Sequence, residues 1–223
     1  MSPLFADLAR ICAPAIATET LAAVVSLESG FSPFAIRIDS GPPLGKQPKS
    51  RVEAIQTAAS LIAGHQQIDL GLGGISAEQF GALGITVADA FDPCSNLKAT
   101  ARLLKTYYRA AVDTGASPSA ARKAMLRSYY GRGESSIGAM AGFDAQVRRE
   151  VMRVSPELSS LRIDGAGEGN LNSEGGKGTT PTPVPTTTSP PQPHATQVPW
   201  DVFSAEQTSS VLIFQDHQPE QER

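Results

Sequence analysis

A long stretch rich first in Gly and then in Thr and Pro limits how much of this 223-residue chain can pack into a core. Residues 165–178 are Gly-rich, and residues 179–199 hold seven prolines among many threonines. Such a composition offers too few apolar side chains to offset the entropy lost when a backbone is ordered, so it favours disordered or extended chain. The sequence therefore predicts one packed domain over residues 1–154 and a tail over residues 155–223.

Periodicity in the first 154 residues is mostly helical, with short interruptions. The alternation in Ile36-Arg37-Ile38 predicts a short strand, and the glycines between residues 71 and 74 argue against a helix there. The predicted fold class is α+β, mainly α. Helices are predicted at residues 4–12, 18–29 and 51–64, after Ser76 with a capping box to Gln79, after Asp92-Pro93, after Ser117-Pro118, and at 141–153.

Charge is distributed unevenly along the chain. Residues 1–154 carry 16 Lys and Arg against 13 Asp and Glu, a net charge of +3, whereas residues 155–223 carry 3 against 9, a net charge of −6. A weakly basic domain suits an anionic polymer, but it lacks the dense basic patch that nucleic acids require, so no nucleic-acid partner is predicted. No stretch approaches the roughly 20 apolar residues of a membrane-spanning helix.

Leader, metal and thiol signals are sparse. Residues 1–10 lack the basic and long apolar regions of a secretory signal, so none is predicted. The three histidines and two cysteines lie at no spacing typical of metal ligands, and no metal or cofactor is predicted. Cys12 and Cys94 are either buried free thiols or a disulfide formed in an oxidising compartment. A disulfide between them would close a loop of roughly 80 residues and would stabilise the fold by about 4 kcal/mol.

Glu28 is the residue that points most directly to chemistry. Gly30 ends the helix predicted at residues 18–29, and Pro33 prevents it from restarting. Burial and the helix C-terminus both disfavour the carboxylate, so the pKa of Glu28 is predicted to be raised, as a general acid requires. The alternative is a solvated or ion-paired glutamate without a catalytic role. Glu28 shares one helix face with three apolar residues, Leu21, Val24 and Val25.

Three short motifs occur in order within residues 4–153. Glu28–Ala35 matches Glu-Ser-Gly-x-x-Pro-x-Ala, and Gly71–Ser76 matches Gly-Leu-x-Gln-Ile-x except that Gly74 replaces the Gln. Tyr130–Gly133 matches Tyr-x-x-Gly. Together the motifs resemble those of the soluble lytic transglycosylases. That resemblance implies a goose-lysozyme-like domain with a small β element beside an active-site cleft.

Within that family the chain looks like the specialised transglycosylases of type IV secretion or conjugation systems. The features that carry this likeness are Cys12-Ala13-Pro14, the segment Phe91–Leu97 and the Pro/Thr-rich tail. The likeness implies a disulfide between Cys12 and Cys94 and a periplasmic location. It also implies secretion-system components as partners, bound through the tail segments 199–203 and 211–214, although these segments could equally dock on the protein itself or make no contact.

The resemblance implies cleavage of the β-1,4 bond between N-acetylmuramic acid and N-acetylglucosamine in peptidoglycan, which yields 1,6-anhydromuropeptides. Glu28 would act as acid and then as base, and Ser29 would orient Glu28 or the substrate acetamido group. Tyr129 is the alternative to Tyr130 as the cleft tyrosine. The residues expected to bind substrate are Ser29, Gly71, Leu72, Gly73, Gly74, Ile75, Ser76 and Tyr130.

Gly74 is the main departure from the family pattern. It leaves open reduced activity, an altered glycan preference, or replacement of the missing side chain by Gln66 or Gln67. One competing hypothesis is a weakly active or inactive peptidoglycan-binding assembly factor. Another is an ordinary hydrolase, which is disfavoured because no motif places a second carboxylate beside Glu28.

Overall fold

The computed structural model describes residues 2–39 and 41–163. The small sheet consists of β1 (Ile36–Ile38), β2 (Ile68–Leu70) and β3 (Ile75–Ser76), and 3₁₀ turns cover Ala77–Gln79 and Ser155–Glu157. Helix dominates the rest, so the predicted class, α+β and mainly α, is confirmed. The helices are α1 (Phe5–Cys12), α2 (Thr18–Ser29), α3 (Arg51–Ala63), α4 (Phe80–Leu83), α5 (Val87–Ala90), α6 (Pro93–Asp113), α7 (Pro118–Tyr130), α8 (Ser135–Met140) and α9 (Phe143–Val154).

The strongest local signals locate the helix ends correctly. Gly30 ends α2 in the left-handed conformation, at φ +58°, and its N–H donates to Ser26 O. The side chain of Asp92 accepts a hydrogen bond from Ser95 N at 2.8 Å, which caps α6 just before a proline in its first turn. Ser117 caps α7 in the same way. These ends are set by residues within one turn, so the sequence alone predicts them.

The predicted capping box at Ser76 is wrong. Ser76 makes no side-chain capping bond, and a 3₁₀ turn follows it instead of a regular helix. The Ser76 side chain is buried, since it belongs to β3 and faces the interior. A capping box does occur ten residues later, where Thr86 and Asp89 cap the short helix α5.

The sheet is antiparallel, with β2 in the centre. Its register places Arg37 directly opposite Asp69, and Leu70 opposite Ile75. The buried side chains form two clusters. One lies among α1, α2, α6, α7 and α9, and the other lies between the sheet, α3 and α5. The C-terminal end of α2 meets the sheet where these two clusters adjoin.

Packing at the chain ends extends the domain beyond the expected boundary at residue 154. Ile163 is fully buried, and its N–H donates to Pro3 O at 3.1 Å. Cys12 and Cys94 are joined in a disulfide that ties the end of α1 to the start of α6. The tail segments 199–203 and 211–214 lie outside the described residues. In the part of the chain that the structure describes, no helix is long and apolar enough to cross a membrane.

Candidate active site

Helix α2 carries Glu28 to the edge of the core. Val24 and Val25, one turn earlier on the same face, are fully buried, and the Glu28 side chain is only 3% exposed. Burial raises the pKa of Glu28 from 4.5 to about 7, and the nearby guanidinium of Arg37 opposes part of that rise. The direction agrees with the sequence prediction. A carboxyl group with this pKa can both give and take a proton near neutral pH.

A chain of ion pairs leads away from Glu28. Glu28 Oε2 lies 2.7 Å from Arg37 Nη1, and Arg37 Nη2 lies 2.7 Å from Asp69 Oδ2. Asp69 Oδ1 in turn lies 2.8 Å from Arg132 Nη2, and Arg132 also pairs with Asp39. The β1–β2 register explains the central link, because it sets Arg37 opposite Asp69. Residues of β1, of β2 and of the turn after α7 are thereby linked to the carboxyl group of Glu28 on α2.

Asp69 is a second buried carboxylate that no motif indicated. Its oxygens are both engaged, one by Arg37 and the other by Arg132. Burial raises the pKa of Asp69, while the two arginines lower it. A sequence signal did exist, because the charge stands between two apolar residues of a predicted strand or bend. A buried charge requires a partner, and Arg37 in the neighbouring strand was a candidate.

The glycine loop, residues 71–74, connects β2 to β3 beside Glu28. Glycine is required at two of its positions because protein atoms come too close for a side chain. A Cβ on Gly71 would lie 2.1 Å from Ala90 O, and one on Gly73 would lie 2.0 Å from Thr100 Oγ1. At both positions, protein atoms occupy the space that a side chain would take.

Buried Asn96 holds the glycine loop in place. Its Oδ1 accepts from Gly73 N at 2.8 Å, and its Nδ2 donates to Leu70 O at 3.1 Å and to Ala90 O at 2.8 Å. Asn96 lies in the segment that suggested secretion-system transglycosylases, but no site role had been predicted for it. Its amide satisfies three backbone groups that have no access to water, so it organises the loop that faces Glu28.

Replacement of Asn96 with leucine is expected to lower the free energy of unfolding by about 3 kcal/mol, because it leaves three buried backbone groups unpaired. Urea denaturation monitored by circular dichroism measures this loss. Ser95→Ala is the matched control, because Ser95 is on the same turn and its side chain makes no hydrogen bond in the described structure. Equal stability of Asn96→Leu and wild type would contradict the assigned role.

The two candidate tyrosines differ in burial and in their contacts. The Tyr129 hydroxyl is buried and donates to Gly73 O at 2.5 Å, and both burial and the charge of Glu28 raise the pKa of this phenol. Tyr130 is 41% exposed and packs on Phe143. Both tyrosines line a small pocket that Glu28 and Arg37 also line. The Tyr-Tyr pair gave no local signal of which side chain turns inward.

A cleft of about 420 Å³ opens beside Glu28. Of the residues expected to bind substrate, three line this cleft, namely Ser29, Gly71 and Gly74. The others, Leu72, Gly73, Ile75, Ser76 and Tyr130, do not line it. The remaining lining residues are Leu27, Gly30, Ser32, Ala35, Ile36, Arg37, Ile38, Gly41, Pro43, Gln47 and Asp69.

Ser29 fixes the end of α2 against the glycine loop. Its hydroxyl oxygen lies 3.0 Å from Val25 O and 2.8 Å from Leu72 O, so its single proton is shared between backbone acceptors rather than given to Glu28. Gln66 and Gln67 are exposed, and Gln67 donates to Glu78. Neither glutamine lines the cleft, so neither takes the place of a side chain at position 74. Among residues 2–39 and 41–163, no group of His, Cys, Asp and Glu side chains is arranged to hold a metal ion.

Comparison with known proteins identifies the family. Residues 8–139 match the family described as transglycosylase SLT domain, and the chain therefore belongs to that family. It is 38% identical over 149 residues to the type IV secretion system protein virB1 of Brucella abortus, which covers 66% of this chain and 62% of the relative. No solved structure matches the chain significantly.

Two further relatives are also virB1 proteins. The protein virB1 of Agrobacterium fabrum is 30% identical over 161 residues, covering 72% of this chain and 64% of the relative. The virB1 of Rhizobium radiobacter is 32% identical over 155 residues, covering 69% and 63%. The matched part of this chain thus spans less than two thirds of each relative's length.

Proposed function

We propose that this protein is a peptidoglycan lytic transglycosylase whose catalytic acid and base is Glu28. The observation that carries the proposal is a buried carboxyl group with a pKa of about 7 at the wall of an open cleft. Membership of the transglycosylase SLT domain family supports the same activity. The substrate is the β-1,4 bond between N-acetylmuramic acid and N-acetylglucosamine.

The reaction divides into two proton transfers at one residue. Protonated Glu28 gives its proton to the glycosidic oxygen, the bond from that oxygen to C1 of the muramic acid breaks, and the N-acetylglucosamine side leaves as an alcohol. The substrate's own 2-acetamido oxygen stabilises the positive charge at C1. The 6-hydroxyl then attacks C1, and the Glu28 carboxylate takes its proton. The product is a 1,6-anhydro sugar, no water is consumed, and Glu28 is restored.

The surroundings of Asp69 favour this route over hydrolysis. A hydrolase with two carboxylates needs the second one free to attack C1 or to activate water. Both oxygens of Asp69 are held by Arg37 and Arg132, so this carboxylate has no free oxygen facing the substrate. Stabilisation of C1 by the substrate acetamido group requires no such residue.

The similarity to virB1 proteins supports a place in a type IV secretion or conjugation apparatus. We propose that the domain opens peptidoglycan locally in the periplasm so that the apparatus can assemble across the cell wall. Components of the apparatus are the proposed partners of the tail segments 199–203 and 211–214.

Mass spectrometry of peptidoglycan digested with the full 223-residue chain tests the activity. We expect anhydro-ended muropeptides from wild type and none from Glu28→Gln. Reducing-end products would instead indicate a hydrolase. Absence of products from correctly folded wild type, together with binding to sedimented peptidoglycan, would favour the assembly-factor hypothesis.

A further inference from the structure

Arg37 is the cation that faces Glu28 most closely in the described structure. It extends from β1, its side chain is 46% exposed, and it contacts Glu28 on one side and Asp69 on the other. Apart from this ion pair, Glu28 Oε2 is buried and has no hydrogen-bond partner among the described residues. Arg37 therefore supplies the whole of the direct polar contact to that oxygen.

Gly74 approaches the same oxygen from the glycine loop. A Cβ on Gly74 would lie 2.7 Å from Glu28 Oε2 and 3.1 Å from Glu28 Cβ. Carbon and oxygen do not approach so closely without one of them moving. A side chain at position 74 therefore requires the Glu28 carboxyl group to shift from the position in which it pairs with Arg37. This conflict concerns the one position where the chain departs from the motif of its family.

We propose that Arg37 is a positioning residue for Glu28, and that the absence of a side chain at Gly74 is what allows Arg37 to take this role. The proposal rests on the proposed function of Glu28, which it extends by naming the group that orients the carboxyl. Asp69 and Arg132 act one step further away, because Asp69 binds Arg37 through two nitrogens and Arg132 holds Asp69.

Arg37 reduces the free-energy cost of ionising the buried carboxyl group of Glu28. Burial disfavours ionised Glu28, and Arg37 offsets part of this cost, whereas Asp69 adds to it and the more distant Arg132 reduces it. Tyr129, from α7, faces the same site as a neutral hydroxyl. Because Glu28 must lose a proton and regain it in each cycle, a nearby cation makes both steps accessible near neutral pH.

The test is the titration of Glu28 in the full-length chain. ¹³C NMR of glutamate-labelled protein reports the midpoint of the Glu28 carboxyl, assigned by its absence in Glu28→Gln. Removal of an adjacent opposite charge typically moves a carboxyl midpoint by about 1–3 pH units. We expect Arg37→Gln to raise the midpoint by that amount, and Arg37→Lys, which keeps the charge, to raise it by less than half as much.

Activity provides a second readout. The alkaline limb of the pH profile of kcat/KM on soluble peptidoglycan fragments reports the same ionisation in the free enzyme. In Arg37→Gln this limb should move to higher pH together with the NMR midpoint. A loss of activity with no movement of the limb would be the behaviour of a merely structural residue.

Gly74→Ala tests the second half of the proposal, and Gly84→Ala is its matched control. Both glycines have positive φ, +62° and +64°, so alanine meets the same backbone strain at each. Only at position 74 does the added Cβ meet Glu28, since nothing lies within 4 Å of a Cβ at position 84. We expect Gly74→Ala to raise the Glu28 midpoint and Gly84→Ala to leave it unchanged.

Two results would overturn the proposal. One is an unchanged Glu28 midpoint in folded Arg37→Gln. The other, which remains informative if Arg37→Gln does not fold, is an equal midpoint in Gly74→Ala and Gly84→Ala. Both measurements are independent of turnover. A wild type that forms no anhydro products would therefore refute the proposed function while leaving the Arg37 contact to be judged by titration.

Discussion

Glu28→Gln is expected to lower kcat for release of anhydro-ended muropeptides by about 10²- to 10⁴-fold, the usual contribution of general acid–base catalysis. Glutamine matches the shape of the carboxyl group but cannot donate and regain a proton at neutral pH. Because Glu28 performs both proton transfers in the proposed mechanism, no other residue replaces it. Chromatography of digests made with equal amounts of full-length wild type and variant measures the change.

The stability of the same variant separates loss of chemistry from loss of fold. The pKa of Glu28 is about 7 in the folded state, against 4.5 for a glutamate side chain exposed to water, so folding favours the protonated form. The contribution of the Glu28 carboxyl group to the free energy of unfolding is fully present below pH 4.5 and is lost as the pH rises through about 7. The shift corresponds to about 3 kcal/mol.

Glu28→Gln should therefore increase the free energy of unfolding by up to about 3 kcal/mol at pH 8, and by little at pH 4. Arg37 keeps Asp69 as its partner in the variant, which limits any new cost of burying the arginine. Urea denaturation at the two pH values measures the difference. A variant that is less stable than wild type at pH 8 would indicate that Glu28 serves structure rather than chemistry.

The parts of this fold that the sequence predicts are those set by neighbouring residues. Helix α2 and its end at Gly30 follow from an apolar face and a left-handed glycine, and the starts of α6 and α7 follow from capping residues before proline. The short helices α5 and α8 were missed, and α4 begins later than the helix predicted after Ser76. Elements of four to six residues are too short to display a helical period.

The candidate site was predictable only in part, because most of its contacts join residues far apart in the chain. Glu28 stands in a recognisable local motif, whereas its partner Arg37 does not. The contact between Arg37 and Asp69 depends on the β1–β2 register, and that of Asp69 with Arg132 depends on how α7 approaches the sheet. Which of the two tyrosines is buried also depends on that approach.

The sequence located the motif of the glycine loop correctly, but it did not show why the loop needs its glycines. The glycines between residues 71 and 74 argued against a helix, and the structure shows that other atoms lie close to the backbone there. Which atoms approach could not be read from the sequence, because Ala90 and Thr100 belong to other elements. Protein atoms explain Gly71 and Gly73, and the carboxyl of Glu28 explains Gly74. Only the last of these bears directly on chemistry.

The disulfide is expected to have the largest effect on stability. The cysteines lie 82 residues apart, and opening a loop of that length restores chain entropy worth about 4 kcal/mol to the unfolded state. We expect the Cys12→Ser/Cys94→Ser double variant to lose about that amount of free energy of unfolding. Urea denaturation of the full-length variant, beside wild type with and without dithiothreitol, measures the loss.

Reduced wild type is the control for this prediction, because reduction breaks the cross-link but replaces no side chain. The double variant and reduced wild type should agree, and a loss below about 1 kcal/mol in both would contradict the loop-entropy explanation.

The bond joins α1 to α6, and Glu28 on α2 does not contact either cysteine directly. Since the ion pair with Arg37 forms across α2 and β1, the Glu28 titration midpoint should remain unchanged wherever the reduced protein is still folded. The disulfide would then stabilise the fold without altering the ionisation proposed for Glu28.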